Sequence, residues 1–79
     1  MKKYYSLVVS VLDRHGNRIE AHEACSGGNK KEILKERTQL RKDIKEGKYN
    51  KYADFDNGET LAADIEVHDD KTWELLWIE

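Results

Sequence analysis

The sequence predicts an α+β domain of order ββαββ: a four-stranded, mainly antiparallel sheet made of two hairpins, with one helix packed on one face. Two observations carry this prediction. Apolar residues recur at every second position near both ends of the chain, and at every third or fourth position in the middle. With 79 residues, the chain is long enough for one thin core. We therefore expect a single small domain, 1–79, divided into a hairpin at 3–25, a helix at 30–46, a loop at 48–59 and a hairpin at 60–78.

The first hairpin is predicted from strict alternation over 3–12, followed by the turn sequence "DRHGN". Gly16 supplies the positive φ that a short hairpin loop requires, with Asp13 opposite Asn17. Counting from that pair predicts the cross-strand partners Val11–Ile19, Val9–Ala21, Leu7–Glu23 and Tyr5–Cys25. Glu23 is the one charged member among these pairs, and we expect it near the sheet edge.

The stretch "CSGGNKKEILKE" poses the question of whether its glycines form a phosphate-binding loop. It lacks the spacing of a P-loop and the Ser or Thr that follows the lysine there. Asn29 is a good helix N-cap, Glu32 completes a capping box, and Gly47 is a good C′ residue. Because the cap would occupy the free N–H groups, we interpret the stretch as a joint between an edge strand and the helix, with anion binding as the alternative.

The second hairpin is predicted from alternation over 60–78. Placing His68 opposite Thr72 pairs the large apolar residues as Val67–Trp73, Ile65–Leu75 and Ala63–Trp77. The first and last strands are the most apolar on both faces, so we expect them at the centre, in the order 2-1-4-3. The helix shows a narrow apolar stripe, typical of a helix lying on a sheet, formed by Ile33, Leu34, Leu40 and Ile44.

Composition limits the classes of function. Cys25 is the only cysteine, which excludes an internal disulfide and favours a reducing, cytoplasmic location. The apolar run near the start is broken by Ser6 and Ser10, so it is interpreted as a strand and not as a signal peptide. No stretch reaches the roughly 20 apolar residues of a membrane span, and no membrane partner is expected.

Chemistry-bearing residues do not form a recognisable catalytic or cofactor motif, so we expect a non-enzymatic protein without cofactor or metal. "DFDNGET" fails the spacing of a calcium loop. Alternation places His22 and Cys25 on opposite faces of their strand, and the expected order puts His22 and His68 on opposite edges of the sheet. Cys25 is interpreted as a small core residue and not as a nucleophile.

Charge is strongly segregated along the chain. Segment 29–51 contains nine Lys or Arg and four Asp or Glu, a net +5, whereas 52–79 contains nine acids and Lys71, a net −8. The basic helix is either a solvated surface or a contact for nucleic acid or an acidic protein. Acids interleaved in the helix and a pI near 5.9 argue against nucleic acid. The candidate contacts are Lys30, Lys31, Lys35, Arg41, Lys42, Lys45 and Lys48.

The sheet face away from the helix is the second candidate surface. If the helix covers the odd-numbered side, the other side exposes an apolar patch of Tyr4, Val8, Leu12, Leu76 and Ile78. Such a patch usually has a partner. The alternative is that the loop bearing Tyr49, Tyr52 and Phe55 folds over it.

These observations predict a small cytoplasmic binding module that acts through protein–protein contact, either as a homodimer or with another protein. The alternative is nucleic-acid binding through the basic helix, 30–48. Small α+β domains without catalytic signatures are common among bacterial, phage and mobile-element proteins, an association of size alone, so an interaction protein of the phage or mobile-element type is one form of this module.

Overall fold

The computed structural model describes residues 2–79; Met1, the first residue of the expected domain, lies outside them. The chain forms the ββαββ, α+β architecture that the sequence predicts: one four-stranded antiparallel sheet with a single helix packed on one face. The elements are β1 (Lys3–Leu12), β2 (Arg18–Gly27), α1 (Lys30–Lys45), β3 (Thr60–Asp69) and β4 (Leu75–Ile78), with short 3₁₀ turns at Asn50–Tyr52 and Phe55–Asn57.

The strand order is β2-β1-β3-β4, so the predicted order 2-1-4-3 is wrong. β3 pairs with β1 over the full ten residues, from Lys3 opposite Asp69 to Leu12 opposite Thr60. β4 has only four residues and cannot cover a strand of that length. Strand length, which determines how many ladder hydrogen bonds form, therefore decides which strand is central, and apolar content does not.

The first hairpin closes as expected, because the Asp13 N–H donates to the Asn17 carbonyl at 2.8 Å. The predicted register beyond the turn is wrong. Two irregularities leave Ile19 and Ala24 as extra residues, as in β-bulges, and shift the partners of β1. The observed pairs are Val11–Glu20, Val9–His22, Leu7–Cys25 and Tyr5–Gly27. The bulges resolve the Glu23 misfit, since Glu23 now lies opposite Val8, on the face away from the helix.

The second hairpin is also shifted, by four residues. Val67 lies opposite Trp77 and not opposite Trp73, and Glu66 lies opposite Ile78. The N–H and C=O of Ile65 bond Glu79 at 2.7 and 2.8 Å, which fixes this register. Trp73 belongs to the connecting turn instead of the strand.

The core lies between the helix and the odd-numbered side of the central strands, as the alternation predicts. Its buried residues are Leu7, Ile33, Leu40, Ala63, Ile65 and Val67. Asn29 caps the helix by accepting from the N–H groups of Lys31 and Glu32. The helix ends at Lys45, one residue earlier than predicted, and Gly47 follows it at φ +85°.

The aromatic loop lies on the helix side. Tyr49 packs against the core, while Tyr52 and Phe55 remain about half exposed. The alternative in which this loop covers the other sheet face is therefore wrong. That uncovered side is called the open face below. Within residues 2–79, the helices are too short or too polar to cross a bilayer.

Candidate protein-binding surface

The turn between β3 and β4 determines what the last strand exposes. The Asp69 side chain accepts from the N–H groups of Lys71 and Thr72 at 2.8 and 3.0 Å. Its backbone carbonyl accepts from the Trp73 N–H at 2.9 Å, and Trp73 adopts the left-handed conformation with φ +63°. The N–H groups of Thr72 and Lys71 lower the pKa of the Asp69 carboxyl. This wide turn uses residues that a tight hairpin would place in the strand, and it produces the four-residue shift.

As a consequence, large apolar side chains remain in solvent along β4 and at the end of the turn before it. We call this set the β4 surface; its residues and exposed fractions are Trp73 60%, Leu75 47%, Trp77 40% and Ile78 51%. Leu75 lies opposite His68, and Ile78 opposite Glu66, on the open face. Trp77 lies on the side of Val67, the helix side. An edge strand that is apolar on both faces is a typical site of protein contact.

The neighbours of the two indole rings hold them in place. Tyr4 meets Trp73 edge to face, with ring centroids 5.0 Å apart. The Lys3 ammonium lies 4.8 Å from the Trp77 ring, which is a cation–π contact. The Trp77 indole N–H donates to the Glu79 carboxylate at 2.6 Å, and Lys30 pairs with the same carboxylate at 3.0 Å. Both rings are therefore preorganised while they remain exposed.

The two edges of the sheet differ in how they discourage pairing with another strand. β2 carries two bulges and the charged side chains of Arg18, Glu20 and Glu23. β4, with the sequence Leu-Leu-Trp-Ile, has no charge or proline and one irregularity at Leu76. Bulges and charges are the usual protection of an edge strand. The β2 edge is protected in this way, whereas the β4 edge is not.

The predicted apolar patch on the open face does not form as expected. Ile78 is exposed on that face. Leu76 instead packs against the core on the helix side, because the irregularity opposite Val67 turns it over. Val8 is only 6% exposed, and Tyr4 and Leu12 are half-buried. Of the five predicted interface residues, Ile78 alone belongs to the β4 surface, and Tyr4 supports it.

Charged and polar side chains close most of the open face. Arg18 reaches from β2 across the sheet to Glu66 at 3.2 Å, and His68 Nε2 lies 3.2 Å from the same carboxylate. The Ser6 hydroxyl donates to Glu23 at 2.8 Å. These groups line a shallow groove of about 450 Å³ above Val8. The network explains why Val8 is buried on a face that no helix covers.

The seven basic residues predicted as contacts fall into two groups, those that form a salt bridge within the chain and those that do not. Lys30 pairs with Glu79, Arg41 with Asp64, and Lys48 with Asp43, so three of the seven predicted contacts are held within the chain. Arg41 also donates to the Ala63 carbonyl at 2.9 Å. For the remaining four, no salt bridge forms among the described residues; we call this set the lysine stripe, and it comprises Lys31, Lys35, Lys42 and Lys45.

The lysine stripe is compact in space although its members are spread in sequence. At about 100° per residue, the four positions fall within about 80° of arc, on the side of the helix away from Ile33 and Leu40. The stripe is about 21 Å long. The acids that alternate with these lysines in sequence lie on the adjoining flank, where Glu36 and Asp43 line a groove with Cys25 of β2. The acids are therefore interleaved with the lysines in sequence but do not interrupt the lysine stripe on the helix surface.

The two histidines and the cysteine considered as metal ligands do not come together at one site. The bulge at Ala24 puts His22 and Cys25 on the same, helix-covered side, which corrects the prediction of opposite faces. His68 lies on central β3, not on an edge. Residues 2–79 contain no group of three or more His, Cys, Asp or Glu placed to hold a metal ion. Cys25 packs against the core, and burial, with Glu36 and Glu23 nearby, raises the pKa of its thiol.

The backbone conformation of the joint between β2 and α1 does not require glycine at positions 27 and 28. Gly27 and Gly28 are absent from the positive-φ glycines, and a Cβ on either would meet nothing within 4 Å. The Asn29 side chain occupies the N–H groups of Lys31 and Glu32 at the helix start, in agreement with the interpretation as a joint.

Comparisons with protein-family models, curated proteins and solved structures found no match for this chain.

Proposed function

We propose that the protein is a small binding module that acts through protein–protein contact, and that its contact surface is the β4 surface. One observation carries the proposal: four large apolar side chains, including both tryptophans, are 40–60% exposed on edge strand β4 and the turn before it. Tryptophan is enriched among the residues that dominate binding energy at interfaces. The proposal moves the expected contact from the open face to the edge of the sheet.

The β4 surface has the properties of a preorganised site. Tyr4, Lys3 and Glu79 fix the two indole rings, so little side-chain entropy is lost when a partner covers them. The outer edge of β4 also offers main-chain hydrogen bonds, the basis of recognition by strand addition. We place the module in the cytoplasm, supported by its single, half-buried cysteine. We assign it no catalytic activity.

Selection of peptides from a displayed random library against the folded chain tests the proposal. We expect the selected peptides to lose at least tenfold in affinity for the double variant Leu75→Ser, Ile78→Ser. The matched control, Lys35→Ser with Lys42→Ser, removes two exposed helix side chains and should bind as the parent does. Failure to select any peptide, or equal binding to all three proteins, would refute the β4 surface as the contact.

Nucleic-acid binding is a second candidate, favoured by the segregation of the lysine stripe from the helix acids. The four lysines of the stripe, which form no salt bridge within residues 2–79, lie on about 21 Å of helix and suit a run of phosphates. Fluorescence anisotropy of short oligonucleotides, titrated at several salt concentrations, tests this function. Four neutralised phosphates on duplex DNA give a slope of log K against log salt near −3.6. Lys35→Glu with Lys42→Glu should abolish the binding; an unchanged affinity, or none at low salt, would exclude the stripe.

A further inference from the structure

We propose that the partner of the β4 surface is a second copy of the chain, joined by antiparallel pairing of the two β4 strands into one eight-stranded sheet. This inference rests on the proposed function, because it names the occupant of the surface proposed there. It follows from the direction of the free backbone groups, from the self-complementarity of β4 and from the charges beside it.

The hydrogen bonds of β4 to β3 determine which backbone groups are free. The Glu79 N–H and C=O both bond Ile65, and the Glu74 carbonyl accepts from the Asp69 N–H at 2.9 Å. Residues of a strand alternate between inward and outward hydrogen bonding. With the extra residue at Leu76, the N–H and C=O groups of Leu75 and Ile78 are therefore the ones that face outward.

An antiparallel copy of β4 satisfies these groups in one register. Leu75 of each copy lies opposite Ile78 of the other, so all the outward groups of both residues find partners. The same register places Leu76 opposite Trp77. Each apolar side chain of the strand then faces an apolar one, as the isologous interface of a two-fold dimer requires. Leu75 and Ile78 lie on the same face in both copies, since their partners on β3 are His68 and Glu66.

The exposed apolar side chains of β4 contribute area to a dimer contact. A tryptophan side chain offers about 150–250 Å². Trp77, which is 40% exposed, therefore adds up to about 100 Å² per copy on the helix side. The half-exposed Leu75 and Ile78 add to this on the open face. Together with the backbone edge, these side chains form a contact smaller than the ~800 Å² that a standard interface buries on each partner, which corresponds to weak association.

The charges near β4 permit a second copy, with one kind of opposing pair that two-fold symmetry forms twice. Lys30 neutralises Glu79, and Lys3 stacks on Trp77, so the strand does not present an uncompensated acidic surface that would demand a basic partner. The register places Glu74 of one copy opposite Glu79 of the other. Like charges directly opposite each other weaken a strand pair. The dimer should therefore tighten when Glu74 is neutralised.

Analytical ultracentrifugation of the wild-type chain measures the dimer constant. Leu75→Ser with Ile78→Ser removes four half-exposed apolar side chains from the symmetric contact and should weaken the dimer about a hundredfold or more. The Lys35→Ser, Lys42→Ser control should leave the constant unchanged. Glu74→Gln should strengthen the dimer by about 2- to 30-fold. A dimer that ignores the β4 substitutions, or that Glu74→Gln does not strengthen, would contradict the pairing.

Disulfide trapping tests the register itself. In a Cys25→Ser background, an equimolar mixture of Leu75→Cys and Ile78→Cys chains should cross-link on mild oxidation, because hydrogen-bonded antiparallel partners lie about 5.5 Å apart at Cα. Either variant alone should cross-link far less. Equal trapping in the separate samples would overturn the register.

Different results would exclude the second copy and the proposed function. If the chain is a monomer at about 1 mM, the weak end of specific association, the second copy is excluded. The proposed function then stands only if selected peptides still depend on Leu75 and Ile78. A monomer that also selects no peptide on β4 removes both.

Discussion

Leu76 and Ile78 provide the most direct test of the conformation of β4, because these side chains are two positions apart and equal in size, yet one packs against the core and the other is exposed. Leu76 packs against the core on the helix side, whereas Ile78 is 51% exposed on the open face. Regular alternation would put both on one face. Truncating each residue to alanine and comparing the two losses in the free energy of unfolding therefore tests whether the irregularity opposite Val67 turns Leu76 to the helix side.

The magnitudes follow from burial. Each truncation removes about three carbon groups, worth about 0.8 kcal/mol apiece when fully buried. For Leu76, mostly buried and next to the core, the free energy of unfolding should fall by about 2–3 kcal/mol, including a cavity contribution. For Ile78, with half of its surface already in solvent, the loss should be about 1 kcal/mol.

Urea unfolding followed by tryptophan fluorescence at low protein concentration gives both values. A difference of about 1 kcal/mol or more corresponds to a difference in Tm of roughly 4–8 °C for a domain of this size. Repeating both measurements at high concentration should enlarge the effect of Ile78→Ala more than that of Leu76→Ala, since Ile78 has more exposed surface for a dimer contact and Leu76 packs mainly against its own core. Equal losses, or a larger loss for Ile78, would refute the assigned faces.

Three further predictions concern the turns and the open face. Gly58→Ala should lower the free energy of unfolding in urea by about 2–3 kcal/mol, and Gly16→Ala should lower it by about 1 kcal/mol. Both glycines have a positive φ, +80° at Gly58 and +84° at Gly16, but only at Gly58 would the new Cβ lie 2.7 Å from another side-chain carbon. Equal losses would contradict that close approach. Ser10→Ala should raise the free energy of unfolding by about 1 kcal/mol, since the Ser10 hydroxyl is buried without a hydrogen-bond partner among the described residues; a loss would show that the hydroxyl is satisfied. The Asp69 carboxylate should stabilise the fold above its unfolded pKa near 3.9, and this contribution should disappear as the pH falls through the lowered folded pKa. Urea unfolding at pH 6 and pH 3 should show that Asp69→Asn removes this part of the acid sensitivity; an unchanged pH dependence would be evidence against it.

Sequence patterns were sufficient for the elements and insufficient for their registers. Alternation and capping residues identified both hairpins and a helix that ends one residue before the expected position. The lone charge among the predicted pairs, Glu23, was a visible sign that the first register was wrong. Bulges carry no strong sequence signature, because the extra residues Ile19 and Ala24 are ordinary strand formers.

The candidate site was missed for a related reason. Trp73 fits the alternating pattern of a strand, and nothing local indicates that Asp69 would hold it in a left-handed turn. Only Ile78 of the β4 surface was selected from the sequence. The "DDK" sequence before Trp73 was the available signal of a turn, since a wider turn necessarily shortens the strand that follows.

The sequence by itself determined the ββαββ order, the helix with its Asn29 cap and Gly47 end, and the odd-numbered core side, because these depend on local conformational preference and on the period of apolar residues. The tertiary structure decided the strand order, the bulges, the inversion of Leu76 and the exposure of the β4 surface. These features depend on how many hydrogen bonds and contacts a whole strand gains against a particular neighbour, a comparison that no local pattern contains.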